Sequence, residues 1–425
     1  MLPRFLFRVF HPLWILFDAL APKRQDFWAF TTHHLHSDRF IENQRAMFEH
    51  IKANPKIRKL VFHRGDSADF GIEGAINHEV VRHGSLRGLM LLARCKVVLL
   101  THSISMDFSL RWPDGSFEVL ELALGRRVVV NLWHGIPLKR LLYAANEATF
   151  RHTDRVPYRT TERRGYAGLV ASSEVDSYAM AAMFYPLNYR QVWMTGLPRN
   201  DFLVNEETRL PRYIRDSIDQ IRRVRQGRRL VIYAPTYRQV NVSSAARYYQ
   251  FSIEEIDRLK SILEANGAML GYRPHYFRNS TDYFNLDQFI DGRLIVDMSQ
   301  AVVPEFSAIA RECDLLITDY SSVFIETLFL GKPAICFAYD LENYQREQDG
   351  LLYELAMVFP GQICHSFDEL VSALATRLEH SDSMPGESTS FQRRFFFRYQ
   401  DGKNCERVHK RIESEIADTK GYPGQ

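Results

Sequence analysis

The sequence predicts an α/β protein built from two domains, each around a parallel sheet. Three observations carry that reading. Short apolar, β-branched runs alternate along the chain with longer segments of helical period, as parallel sheets with crossover helices require. The length, 425 residues, suits two domains with sizeable cores. Residues bearing hydroxyl, imidazole and guanidinium groups gather where the predicted strands end, the place where open α/β sheets bind ligands.

The N-terminus precedes this pattern. Over Met1 to Leu20, apolar and aromatic residues (Phe5, Leu6, Val9, Leu13, Leu16, Phe17, Leu20) fall at helical spacing, with Arg4, Arg8 and His11 between them and Lys23 and Arg24 after them. Pro12 and Asp18 interrupt the run, which is too short to span a bilayer of about 30 Å. Three readings are open. The aromatic and basic pattern suits a helix lying in an anionic membrane surface. Ala19-Leu-Ala21 resembles a signal cleavage site, although His11 and Pro12 break the apolar region before it. A helix packed on the domain is the third. The first is favoured.

Strands are predicted at 59–63, 96–101, 127–133, 169–172 and 191–195. A second series follows at 230–234, 269–272, 294–296, 315–318 and 334–338. An arginine-rich stretch containing Pro211 separates the two series. The expected division is therefore an amphipathic segment at 1–25, a first domain at 26–210, a second at 211–388, and a final helix and tail at 389–425.

Composition narrows the function. The hydrophobic fraction of 46% and charged fraction of 25% are those of a soluble globular protein. A net charge of +3 does not argue for a nucleic-acid partner. Cys95, Cys313, Cys336, Cys364 and Cys405 are widely spaced, a pattern of reduced thiols in a cytosolic compartment rather than disulfides or a zinc site. Neither G-x-G-x-x-G nor G-x-x-x-x-G-K-[ST] occurs, which removes the common nucleotide-binding loops.

The strand ends carry the candidate chemistry. The 315–318 strand runs through Asp319 into Ser321 and Ser322, where an apolar helix begins that Gly331 and Pro333 stop. Free backbone N–H groups, an aligned dipole and two hydroxyls there suit a phosphate or diphosphate; a serine serving only as helix cap is the plain alternative. The first series supplies Trp133-His134-Gly135, with Gly135 expected to make a tight turn and Pro137 to open a helix. The second supplies Pro235-Thr236-Tyr237-Arg238, Arg273-Pro274-His275 and Tyr339-Asp340.

Leu132-Trp-His-Gly-Ile-Pro-Leu-Lys139, Gly196-Leu-Pro-Arg-Asn-Asp201, Tyr233-Ala-Pro-Thr-Tyr-Arg238, Thr318-Asp-Tyr-Ser-Ser322 and Tyr339-Asp-Leu-Glu-Asn-Tyr344 together resemble the CDP-glycerol glycerophosphotransferase family, the teichoic-acid primases and polymerases and related capsule polymerases. The resemblance implies a GT-B-like architecture, two Rossmann-like domains facing a central cleft. It also implies transfer of a polyol phosphate, glycerol phosphate first among the candidates, from a CDP-linked donor to a lipid-linked or growing polymer acceptor. The expected location is the cytoplasmic face of the cell membrane, where the protein would be peripheral and held on an anionic surface. No cofactor is firmly implied. No residue is assigned to a metal, and dependence on a divalent cation stays open.

On that reading His134 is the general base for the acceptor hydroxyl. His275 binds or protonates the departing phosphate. Arg238 and Arg273 pair with phosphate oxygens in a fork, with structural ion pairs as the alternative. Ser321, Ser322 and Thr236 hold the diphosphate, and Asp319 orients a histidine or a ribose hydroxyl. Gly135, Lys139 and Asp340 are further candidates, Lys139 being expected one turn into a helix and solvated. Glu326, where the family favours aspartate, and Asp349-Gly350, where it favours Arg-Gly, depart from the pattern and bear on contacts to the donor's polyol. A nucleotide-sugar glycosyltransferase of the same architecture and a non-catalytic membrane scaffold are the competing readings.

Overall fold

The computed structural model describes residues 4–33, 38–66, 68–112, 114–145, 158–238, 248–275, 285–347, 350–380 and 388–418. Arg151, Arg155 and Asp349 lie outside these residues. The chain divides into two compact units: Met1–Gly135, Asp154–Asn205 and Arg398–Gln425 form the first, Ile136–Thr153 and Glu206–Phe397 the second.

In the first unit, α1 (Phe7–Leu20) leads into β1 (Arg24–Thr31), followed by α2 (Glu42–Ile51), β2 (Arg58–His63), β3 (His78–Arg82), α3 (Leu86–Arg94) and β4 (Cys95–Leu100). A short antiparallel hairpin, β5 (Leu110–Arg111) and β6 (Phe117–Glu118), precedes β7 (Val128–Asn131), β8 (Gly168–Ala171) and β9 (Val192–Met194). The main sheet has seven strands in the order β3-β2-β1-β4-β7-β8-β9, and its pairings are parallel. Strands β2, β4, β7 and β8 are buried on both faces, which is why they read as continuous apolar runs rather than alternating ones.

The sequence reading missed β1 and β3. β1 sits mid-sheet with Phe27 to Phe30 buried, but its apolar run is short and opens on Arg24-Gln25-Asp26, so the charges there read as the flank of the amphipathic segment. β3 is a half-exposed edge strand.

The second unit holds β10 (Arg229–Ala234), β11 (Ala268–Tyr272), β12 (Ile295–Asp297), β13 (Leu315–Thr318), β14 (Ala334–Phe337) and β15 (Gln362–Cys364). They form a six-stranded parallel sheet in the order β12-β11-β10-β13-β14-β15. The helix Ile253–Ala265 starts at a capping box in which the Ser252 hydroxyl accepts from Glu255 N–H and the Glu255 carboxylate accepts from Ser252 N–H. Its apolar stripe of Ile256, Leu259 and Leu263 packs with Val231, Leu270 and Leu374 in the core. The edge strand β15 was not predicted, being only three residues with one fully buried side chain.

No helix opens after Gly135. Residues 136–140 run extended, with Lys139 in an antiparallel bridge to Leu351 and Leu352 N–H donating to Leu138 O at 2.9 Å. Positive φ falls on Trp133, at +55°, and not on Gly135.

α1 is amphipathic. Trp14 is buried and its indole donates to Glu121 O at 2.7 Å. Asp18 is fully buried and paired with the equally buried Arg127, whose Nη1 lies 2.7 Å from Asp18 Oδ2; Lys23 closes on the same carboxylate at 3.2 Å. The opposite face leaves Val9, Leu13, Leu16 and Leu20 exposed. Removing the Asp18 charge strands a buried guanidinium, so Asp18→Ala should lower stability by about 3–5 kcal/mol, read as a shift in the urea unfolding midpoint.

Candidate active site

In the first unit the sheet order β1-β4-β7-β8 places the strand exits side by side, so residues far apart in sequence become neighbours. β1 exits through Thr32-His33, β4 through Thr101-His102, β7 through Trp133-His134 and β8 through Ser172-Ser173. The ring of His134 stacks on that of His102, with centroids 4.6 Å apart and planes at 22°. His33 meets His102 edge-on at 6.2 Å. Burial holds His134 well below the ordinary imidazole range, and His102, Arg199 and His33 push it further the same way. Burial and the neighbouring His33 take His102 down to about 3. Both rings are therefore neutral at physiological pH, the form in which an imidazole can accept a proton.

Carboxylates and carboxamides fasten these turns. Asp107 Oδ2 accepts from Thr101 N–H at 2.7 Å and from His102 N–H at 2.9 Å, and its other oxygen lies 3.6 Å from His102 Nδ1. Asn131 and Asn43 bind the main chain of Trp133. Arg199, from the Gly196–Asp201 motif, lies 3.6 Å from Glu42 on α2. None of His33, His102, Asn43 and Asn131 was picked out from sequence. Thr101-His102 stands at a strand end just as Trp133-His134 does, so the same rule applied to β4 finds it.

In the second unit the order β11-β10-β13-β14 brings together Arg273 and His275, Thr236 and Arg238, Asp319 to Ser322, and Tyr339-Asp340. Arg238 is buried and engaged internally: its Nη2 lies 2.9 Å from Asp319 Oδ2 and 3.1 Å from Asp340 Oδ1, and its Nη1 donates to Thr236 O at 3.0 Å. The rings of Tyr344 and Tyr320 lie against its guanidinium at 4.8 and 5.2 Å. Asp319 Oδ1 accepts from Thr236 N–H at 2.8 Å and Tyr320 N–H at 2.6 Å. Arg273 donates to Met298 O at 2.9 Å and to Val303 O.

Ser321 and Ser322 are half-buried ahead of the helix Val323–Phe329. Ser322 makes no side-chain cap, and the Ser321 hydroxyl only approaches Val323 N at 3.5 Å. His275 is driven down to about 3 by burial first and by Lys139 and Arg273 next, with Asp319 pulling the other way. Lys139 is in the strand-like bridge instead of a helix, half-buried, its Nζ 5.7 Å from the Tyr344 ring centre. Asp340 accepts from Tyr320 OH at 2.9 Å. Among the described residues no group of three or more His, Cys, Asp or Glu side chains is arranged to hold a metal ion.

The sequence model of CDP-glycerol:poly(glycerophosphate) glycerophosphotransferase matches residues 17–414. The chain belongs to this family. It is similar to the teichoic acid ribitol-phosphate polymerase TarL of Staphylococcus aureus, with 30% identity over 67% of this chain and 47% of that one, so it spans about half the length of that relative. It is 25% identical to the teichoic acid ribitol-phosphate primase of Bacillus spizizenii over 97% of each chain. Among solved structures, a variant of the wall teichoic acid polymerase TagF soaked with CDPG superposes with a TM-score of 0.70 at 20% identity, covering 96% of this chain and 93% of that one. The glycerophosphotransferase-family chain thus has the GT-B-like fold of TagF.

The neutral histidines make acid stability a test of the site. The unfolded chain protonates a histidine near pH 6.5, whereas folded His102 stays neutral to about 3. Its contribution is therefore present above pH 6.5 and lost as pH falls below it. Buried Glu162 and Asp176, both raised to about 7, act in the opposite sense, equally in wild type and variant. His102→Phe keeps a stacking ring and removes the titration. Between pH 7.5 and 5.5 its unfolding free energy should fall by about 1.4 kcal/mol less than that of wild type, as urea titrations at the two pH values will show.

Proposed function

We propose that the protein transfers a polyol phosphate, glycerol phosphate by preference, from a CDP-linked donor to a lipid-linked or growing polymer acceptor and releases CMP. The observation that carries this is the family match over residues 17–414 together with a half-buried, neutral His134 at the carboxyl edge of the first sheet. The polymerase and primase names of its relatives and the CDPG soak of TagF support the choice of donor and acceptor class.

The acceptor hydroxyl oxygen attacks the polyol-bearing phosphorus, and the bond from that phosphorus to the CMP oxygen breaks. His134 takes the hydroxyl proton. Its basicity in the free protein is low, but bringing substrate phosphate beside it favours the protonated form and raises it. On the second sheet, His275, Ser321, Ser322 and Thr236 are the groups assigned to the diphosphate and the departing CMP. Arg238 and Asp319, bound to one another, hold the strand exits that carry those groups, and Asp340 completes that pair. Arg273 adds positive charge beside His275.

His134→Ala and His275→Ala should each slow CMP release from CDP-glycerol by about 100-fold or more while leaving the melting temperature near that of wild type. A variant at either position with near wild-type release overturns its role. UDP release from a UDP-sugar, with no CMP from any CDP-polyol, would make the protein a glycosyltransferase instead.

The same proposal places the protein on the anionic cytoplasmic face of the membrane. Among the described residues no helix is long and apolar enough to cross a bilayer, but α1 carries an exposed apolar face with Leu13 at 63%, Leu16 at 58% and Leu20 at 70% accessibility. Lys23 and Arg24 are held by Asp18 and Asp26, so the apolar face contributes more of the binding than the flanking charges do. Replacing Leu13, Leu16 and Leu20 with serine keeps Trp14 and Asp18 seated. It should abolish flotation with phosphatidylglycerol vesicles and preserve CMP release with a short soluble acceptor. Undiminished flotation would remove α1 from the membrane contact.

A further inference from the structure

The turn that presents His134 is built in a conformation its residue disfavours. Trp133 sits at φ +55°, in the left-handed region, which is strained for a bulky side chain. Such a turn persists only where its surroundings over-determine it. Both backbone groups of Trp133 are held, each by a different asparagine. Asn131 Oδ1 accepts Trp133 N–H at 2.9 Å, and Asn131 Nδ2 donates to His102 O at 2.8 Å. From the other side, Asn43 Nδ2 donates to Trp133 O at 2.8 Å and to Leu132 O at 3.3 Å, while its Oδ1 accepts Arg199 N–H at 2.8 Å. Both carboxamides are fully buried.

We propose that Asn43 and Asn131 are positioning residues for the transfer, clamping Trp133 so that the His134 ring is held against His102 at the edge of the sheet. The proposal rests on the assignment of His134 as the base. The geometry requires a carboxamide at both positions, because each side chain must donate and accept at once. An aspartate would set an anion against the carbonyls, and a serine is too short to join two turns. Asn131 registers the β7 exit to the β4 exit, whereas Asn43, on α2, registers it to the turn after β9. The base is thereby fixed relative to the β4 exit, the turn after β9 and α2, which reach it from distant parts of the sequence. A displacement of about 1 Å in such a group costs about 100-fold in rate.

Asparagines that merely satisfy buried main chain would stabilise the fold without acting through His134, and a mutant cycle separates the two roles. With CDP-glycerol and a short soluble acceptor, Asn43→Ala and Asn131→Ala should each lower kcat by about 100-fold with little change in KM for the donor. In a His134→Ala background the same substitutions should cost no more than about twofold further, since the group they position is gone. Near wild-type kcat in the single variants, or the full loss repeated in the His134→Ala background, overturns the clamp.

Should an alanine variant fail to fold, Asn43→Asp and Asn131→Asp keep the acceptor and remove the donor. In them, as in the alanine variants, the 15N ring resonances of His134, identified by their loss in His134→Ala, should move; unmoved resonances also overturn the clamp. If His134→Ala releases CMP at the wild-type rate, the base assignment fails, and the ring resonances alone then decide whether the asparagines fix the ring.

Discussion

The ends of parallel strands leave backbone N–H groups that no neighbouring strand satisfies, and both sheets of this protein answer that need with carboxylates. Asp107 takes the N–H groups of Thr101 and His102 at the exit of β4. Asp176 takes Ser172 N–H at the exit of β8, at 2.7 Å. Asp319 takes Thr236 and Tyr320 N–H groups at the exits of β10 and β13. A buried N–H left unpaired costs about 1–3 kcal/mol, so each carboxylate fixes its turn in one arrangement. The side chains that project from those turns inherit their positions from this backbone requirement. Chemistry at the edge of the sheet is thus a consequence of how the sheet ends.

The two edges use that rigidity differently. At the first, imidazoles pack on one another and on Trp133, and burial keeps His134 and His102 uncharged. Such an edge can take up a proton when a substrate brings negative charge to it. At the second, one guanidinium is shared by two carboxylates inside a wall of tyrosines, Tyr320, Tyr339 and Tyr344. Breaking such a buried pair leaves an uncompensated charge, which suits a scaffold better than a mobile ligand contact. Arg238, conspicuous in the sequence as a cation at a strand end, is held in the structure by its own neighbours.

Most of the architecture was legible because buried parallel strands announce themselves: the run Leu315–Thr318 and the strands around it fall within a residue or two of their predicted ends. β1 was not legible, since a central strand that begins with Arg-Gln-Asp and follows an amphipathic helix carries conflicting local signals. The helix expected after Gly135 was misread from Pro137, a residue equally at home in extended chain. At the candidate site, strand-end logic pointed to His134 and His275, and both stand at strand exits in the structure. It could not find Asn43, because that residue acts through hydrogen bonds to turns 89 to 156 positions away, and nothing in a helical stretch marks one buried asparagine from another. Trp133 was read only as the neighbour of His134, and its positive φ had no sequence signal.

The Gly196–Asp201 motif shows how a family signature can be structural and still reach the candidate site. Gly196 lies at φ +81°, and a Cβ there would fall 2.3 Å from Asn404 Oδ1, so only glycine allows the final helix, Asn404–Asp418, to seat. Asp201 then accepts the N–H groups of Asn404 and Cys405 at 2.9 and 2.8 Å, capping that helix where its dipole favours a carboxylate. Between these two anchors, Arg199 gives its N–H to Asn43, and Asn43 holds the carbonyl of Trp133. The chain's C-terminal helix, the turn after β9, α2 and the His134 turn therefore form one hydrogen-bonded series within the first unit. A change that loosens the final helix reaches the His134 turn through three named contacts.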